Sequence, residues 1–482
     1  MRRQLRTTAL LGAVAFALGL LLRRRALHGF DAFLALQATQ DSGPGLPGSL
    51  FYVPLARAAW TLLRPVVPDA FAAMGVLSAL GTAVAAAAAH RAALALRLRQ
   101  PVATALLLLV LPAVVYFGAT VEVDPLMLGM GGVAWWCAVP FVRRPRPRRA
   151  MALGAVTGVA ACLHGGGQLL LLAIAALALA RAGQRAWRRA NRAPIVRVLR
   201  DGALAALVHA ALYAVSSVVC GREGQGAMAA SVALLSPCWA RLPTTLFYEW
   251  LLPYAPVAVL WPLAARRRPL RWIVAAFAVV WVAYLMLTNA VMGYFEPGPA
   301  ELWEHGAFFV TVAAPTVLLC GAALPRAAQR AAIVASAAIA VGMARYGDWA
   351  PMPAGFAADV RQLGAAESPY IVCADVEHEY GWIRKADGSI PGMYLGEIDR
   401  LIRLYERAGN AIDADRVAAW FDERVEFVAK QGHGVILTGR ALDALRAHAD
   451  ARLRALAEYL PRHYALEPFR IGSFDGVRLR RR

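Results

Sequence analysis

Two acidic residues stand where a carboxylate is costly to place. Asp31, in His28-Gly29-Phe30-Asp31, and Asp124, in Val121-Glu122-Val123-Asp124-Pro125-Leu126, each lie in a short polar stretch beside a long apolar run. A carboxylate at the edge of an apolar medium carries a desolvation cost, so its position is informative. Such a group can take a proton as a general base. Each also has a structural reading: Asp31 as a helix cap or solvated loop residue, and Asp124 as an N-cap with Pro125 at the first helical position. Asp41, inside Asp41-Ser42-Gly43-Pro44, reads as a turn residue. Glu301-Leu302-Trp303-Glu304-His305 gathers acids and a histidine within about one helical turn, a pattern that is more often mixed charge than a metal site. No phosphate loop of the Gly-x-x-x-x-Gly-Lys type and no Cys/His pairs at zinc spacing occur. The run Gly165-Gly166-Gly167 follows an apolar helical segment rather than a strand, which disfavours a nucleotide-linked substrate. These residues call for no cofactor. A divalent metal is compatible with the acids, but no ligand spacing supports it.

The elements that must position these residues follow from composition. Hydrophobic residues make up 59% of the 482 positions and charged residues 17%. A soluble domain of this size could not hide that much apolar surface, so a bilayer must act as solvent. The net charge of +20 comes almost wholly from arginines set in short loops between apolar runs. With no continuous basic face, a nucleic-acid partner is excluded. Apolar runs able to cross, or nearly cross, the hydrocarbon fall near 7–22, 69–90, 101–118, 126–142, 202–221, 246–264, 271–290, 306–324 and 331–345. The run over 150–180 is too long for one ordinary span. His164, three glycines and Gln168 interrupt it, which predicts two short helices, 150–163 and 168–181. The positive-inside rule favours the division: it puts the five arginines of 143–149 and the seven of 181–200 on the same, cytoplasmic side.

The expectation is an α-helical polytopic membrane protein of about eleven membrane segments. Its N-terminus is cytoplasmic, with 7–22 an uncleaved anchor because no small-residue cleavage site follows it. Residues 1–345 form the membrane domain. Residues 346–482, where charges and turn residues return, form a small extracytoplasmic α/β domain with strands at 369–374, 434–438 and 464–471 and helices at 393–408, 413–429 and 440–459. The segment Phe51–Trp60, aromatic with one basic residue, suits an interfacial helix. Cys220 and Cys238 both fall on the outer side, where they could pair or stand as free thiols.

At these residues the chain resembles the GT-C superfamily of membrane glycosyltransferases, which includes protein O-mannosyltransferases and the aminoarabinose transferases acting on lipid A. The matching features are Asp31 directly after the first span, the interfacial segment before the second and Asp124-Pro125-Leu126 in the second outer loop. The Gly/His-broken helix pair and a terminal domain outside the membrane complete the layout. The resemblance implies an inverting enzyme that takes a sugar from a polyprenyl-phosphate carrier, with Asp31 as the general base that deprotonates the acceptor and Asp124 as a second catalytic carboxylate. It also implies cations for the lipid phosphate, and Arg57, His164, Arg241 and His305 are available at the outer side. Arg57 also suits headgroup snorkelling and His164 a helix-packing hydrogen bond. Where many family members carry a second acid beside the first, this chain has Ala32.

The implied partners are a polyprenyl-phosphate-linked sugar, the bilayer of a bacterial-type inner membrane, and an envelope glycan, lipid or protein as acceptor. Two other readings compete. A lipid or polysaccharide transporter would place ionisable groups mid-membrane, and the expected spans hold few. A non-catalytic scaffold with an outer partner-binding domain gives no reason for carboxylates in two separate outer loops.

Overall fold

A computed structural model describes residues 2–23, 35–36, 38–40, 50–67, 69–164, 166–219, 247, 251–258, 311–346, 355–366, 369–375, 379–387, 390–407, 411–472 and 474–482. Contacts divide the chain into two units: Met1–Arg24 with Pro44–Gly347, and Arg25–Gly43 with Asp348–Arg482.

The first unit is helical. Its described elements are α1 (Arg2–Leu21), α2 (Tyr52–Leu63), α3 (Ala70–Leu96), α4 (Pro101–Val110), α5 (Pro112–Ala119), α6 (Asp124–Arg143), α7 (Pro147–Leu163), α8 (Gly167–Arg189), α9 (Ala193–Val219), α10 (Ala313–Ala323) and α11 (Arg326–Tyr346). Among the described residues, α1, α3, α6, α8 and α9 are long and apolar enough to cross a membrane; α4 and α5, bent by 61°, would make a sixth span if taken as one. The expected spans at 246–264 and 271–290 lie outside the described residues, apart from 247 and 251–258.

Small side chains set how closely these helices approach. A Cβ at Gly81 of α3 would fall on the Pro125 carbonyl at the start of α6. On α9, Ala205 and His209 pack against Gly154 and Gly158 of α7 in the same order, so these two helices run parallel. The Thr157 hydroxyl and His209 Nδ1 are 3.1 Å apart across that seam.

Three expectations need correction. The stretch 101–118 is not one continuous helix. Pro112 disfavours helical geometry at the residue before it, and Leu111 is accordingly extended at φ −58°, ψ 133°. The helix that carries the span expected from 202 begins at Ala193, so Asp201, 1% exposed, lies within it. The helix expected over 440–459 is two helices, Gly439–Ala447 and Ala451–His463.

The second unit contains a mixed sheet ordered β2-β1-β3-β5-β4. Its strands are β1 (Pro369–Cys373), β2 (Gly392–Tyr394), β3 (Gly434–Thr438), β4 (Tyr464–Ile471) and β5 (Phe474–Arg481). The first three are parallel, and β5 pairs antiparallel with both β3 and β4. The helices are α12 (Phe356–Ala366), α13 (Gly381–Ala386), α14 (Leu395–Arg407), α15 (Ala414–Lys430), α16 (Gly439–Ala447) and α17 (Ala451–His463). One core joins Tyr370, Val372, Val435 and Leu437 of the sheet to Ile402, Phe421, Leu445 and Leu456 of the helices. The chain breaks between α16 and α17 because His448 is extended and Asp450 starts a new helix, its side chain accepting from the Arg452 N–H at 2.8 Å.

Candidate active site

Asp124 opens α6, and Pro125 stands in the same first turn. The N-cap is Val123 and no side chain caps the helix. Asp124 therefore lies within the turn, where the positive end of the helix favours a carboxylate, instead of at the cap position its spacing suggested. It is only 6% exposed. The turn is pressed onto α3, where Gly81 admits the Pro125 backbone and the Ser78 hydroxyl donates to the Glu122 carbonyl at 3.5 Å.

Two breaks in the helices seat segments that carry buried tyrosines. The first follows α7. The Gly166 N–H, which in a continuous helix would serve the Cys162 carbonyl, donates instead to His164 Nδ1 at 3.1 Å. The Cys162 carbonyl accepts from the Leu50 and Phe51 N–H groups at 2.7 and 3.0 Å. That pair of bonds fastens the start of α2, whose first residue, Tyr52, is fully buried. Burial first, and then the charges of Glu122 and Asp124, hold the Tyr52 phenol well above its ordinary value.

The second break is the bend at Pro112. It leaves the Ala113 N–H outside any helical turn, and that group donates to the Pro253 carbonyl at 2.8 Å. The next residue, Tyr254, is fully buried and within reach of the charge on Asp124. The Ser336 hydroxyl of α11 donates to the neighbouring Ala255 carbonyl at 3.4 Å.

Of the residues singled out in the sequence, Asp31, Arg241 and His305 lie outside the described residues, as do Cys220 and Cys238. Arg57 lies on α2, half-buried, in the helix that Tyr52 begins. His164 is at the break itself, its Nδ1 holding the Gly166 N–H two residues from the carbonyl that docks α2. The charges of Glu122 and Asp124 act on Tyr52, and that of Asp124 acts on Tyr254. Tyr52 was legible only as part of an interfacial segment, and Tyr254 carried no signal because its relation to Asp124 depends on a bend some 140 positions away. Arg23 also escapes sequence reasoning. Its guanidinium donates to the Ala72 carbonyl at 3.3 Å and its side chain fills the space above Gly75, one turn along α3 from Ser78. Its signal was position: it is the first cation after the first span. Among the described residues, no group of three or more His, Cys, Asp or Glu side chains is arranged to hold a metal ion.

The fold matches those of solved structures. ArnT from Cupriavidus metallidurans bound to undecaprenyl phosphate superposes with a TM-score of 0.58 at 15% identity, covering 97% of each chain. The same protein in the apo state gives 0.56 at 13%, covering 98% of this chain and 97% of that one. The Archaeoglobus fulgidus oligosaccharyltransferase, tethered with an acceptor peptide, gives 0.51 at 12%, covering 97% of this chain and 74% of that one. All three are GT-C superfamily structures.

The chain has the GT-C fold.

At these identities the likeness concerns the fold. No family model and no curated protein matches the chain. Within the GT-C fold, the place of Asp124 at the head of α6 is read from this chain's own geometry.

Proposed function

We propose that this protein is an inverting glycosyltransferase that moves a sugar from a polyprenyl-phosphate carrier to an extracytoplasmic acceptor, an envelope glycan, lipid or protein. The fold carries this reading: one of the structures it matches holds undecaprenyl phosphate and another an acceptor peptide. The buried carboxylate at the head of α6 adds to it.

The chemistry asks little of the protein. The acceptor oxygen attacks the anomeric carbon while the bond from that carbon to the phosphate oxygen breaks. The acceptor proton passes to a carboxylate, and polyprenyl phosphate departs with the electron pair. Phosphate is already a good leaving group, so one positioned base and cations for the departing charge suffice. We assign the base to Asp31 and a second catalytic role to Asp124. Arg57, His164, Arg241 and His305, with Arg23 added by the geometry, are the cations proposed for the lipid phosphate. The reading places the N-terminus in the cytoplasm of a bacterial-type inner membrane and residues 346–482 outside it as an α/β domain.

Asp31→Asn tests it. The amide keeps the shape but cannot take the acceptor proton. Transfer to the native glycoconjugate is expected to fall by about 10²–10⁴-fold with protein yield and thermal stability unchanged. Asp41→Asn serves as control and should transfer normally. Normal transfer by Asp31→Asn removes Asp31 as the base, and loss of protein in step with activity assigns it a structural role.

A further inference from the structure

Arginines from four helices converge on the last turns of α6, at the end away from Asp124. The Arg91 guanidinium of α3 lies 5.6 Å from the centre of the Trp136 ring. Arg143 donates to the Ala95 carbonyl near the end of α3. Arg149 of α7 donates to the Pro140 and Arg144 carbonyls at 2.8 and 2.9 Å, and Arg185 of α8 to the Arg143 carbonyl at 2.9 Å. The last carbonyls of a helix have no partner within it, which accounts for where these side chains go but not for their charge. A helix end carries only about half a negative charge. Among the described residues of this unit the carboxylates are Asp69, Glu122, Asp124 and Asp201. Asp69 caps the start of α3, Asp124 opens α6 and Glu122 precedes it, while Asp201 pairs with Arg200 at 2.8 Å. The arginine cluster therefore calls for an anion.

We propose that Arg91, Arg143, Arg149 and Arg185 bind the phosphate of an anionic phospholipid, cardiolipin or phosphatidylglycerol, in the leaflet at this end of the bundle. The indoles decide for a lipid over a soluble anion. Trp136 is 37% exposed within the cluster, and Trp187, near the end of α8, is 90% exposed. Indole rings favour the boundary between hydrocarbon and headgroups, which sets these guanidiniums at the height of the lipid phosphates. A guanidinium has five N–H donors in one plane, so it can hold a carbonyl and a phosphate oxygen together. Arg149 uses Nη1 for both of its carbonyls, which leaves Nε and Nη2 for a further acceptor. Basic pockets between membrane helices bind such headgroups. The bound lipid would join α3, α6, α7 and α8, and the proposal is independent of the transfer reaction.

The test titrates cardiolipin, phosphatidylcholine or inorganic phosphate into the full-length protein in neutral detergent. Bound lipid is counted by native mass spectrometry and the melting temperature is followed in parallel. The double variant Arg149→Gln/Arg185→Gln removes two charges from the cluster while glutamine keeps a donor for the carbonyls. Arg192→Gln/Arg197→Gln removes the same charge from exposed positions beside the start of α9. Wild type is expected to bind cardiolipin in preference to phosphatidylcholine and to melt higher with it. The cluster variant should bind it roughly 25-fold more weakly, about fivefold for each arginine, and the α9 variant should bind as wild type does. Equal weakening in both variants overturns the proposal, since the general positive surface would then be responsible. Equal binding of phosphatidylcholine overturns it too, as does inorganic phosphate raising the melting temperature as much as cardiolipin. If the cluster variant does not fold, Arg91→Gln takes its place, because Arg91 holds its position by stacking on Trp136. A fivefold loss is then expected, and wild-type binding overturns the site.

Discussion

Glu379, at 7% exposure, takes hydrogen bonds on Oε2 from the Ala374 N–H and the Thr438 hydroxyl, both at 2.8 Å, and so ties the ends of β1 and β3 together. Burial, the largest influence, raises its carboxyl above the ordinary 4.5 despite the opposing pull of those two bonds and of Arg440, and Asp375 raises it further. A carboxyl whose folded value is raised stabilises the fold below its unfolded value and loses that contribution as pH rises through the folded value. Amide exchange at Ala374, and at Ala441, whose N–H donates to the Thr438 hydroxyl at 3.1 Å, is therefore expected to quicken in the intact protein as pH climbs above 4.5, after correction for the intrinsic rate. Glu379→Gln, which keeps an acceptor and carries no charge, should flatten that dependence; an unchanged slope would assign it to another group. None of this was legible in the sequence, where Glu379 is one acid among several between two strands. The same holds for Tyr52 and Tyr254, whose meaning comes from what a broken helix leaves unbonded. Asp124 was legible, because an acid beside Pro125 at the edge of an apolar run is conspicuous without any partner.

Helices and strands show the same division. Strands β1, β3 and β4 were visible as apolar, β-branched runs bounded by turn residues. β5 was not, because Arg478, Arg480 and Arg481 mask its alternation; Glu467 offsets one of them by pairing with Arg480 at 3.0 Å. β2 has three residues, too few for a period to show. The close pairing of α3 with α6 was equally hidden, since nothing in Ser78-Ala79-Leu80-Gly81 names the backbone that lies against it. That contact gives a direct test. Gly81→Val should destabilise the protein by about 1–3 kcal/mol, the usual cost of overpacking, and should lower transfer further by moving the turn that holds Asp124. A side chain at Gly183 of α8 would meet open space, with nothing within 4 Å of its Cβ, so Gly183→Ala should be neutral or stabilising by up to about 1 kcal/mol. Thermal unfolding of the two variants in the same lipid separates these outcomes, and equal melting temperatures would refute the packing argument.

For the molecule as a whole, the topology proposed from the arginine distribution has the chain's two ends on opposite sides of the membrane. Reporter fusions after Arg330 and after Arg482 should accordingly report cytoplasmic and extracytoplasmic locations; a shared location would overturn the topology.

Helix α7 is short for a membrane crossing. Its 17 residues, beginning Pro147-Arg148-Arg149, reach about 25 Å at 1.5 Å per residue, less than the roughly 30 Å of hydrocarbon in an ordinary bilayer. Its parallel neighbour α9, with 27 residues, has length to spare. On the proposed topology α7 crosses the bilayer, and the lipid beside it would then be compressed, a hydrophobic mismatch whose cost grows with acyl-chain length. The protein should melt at a higher temperature in short-chain phosphatidylcholine vesicles than in long-chain ones, and membrane thickness would then act on the same break that seats Tyr52.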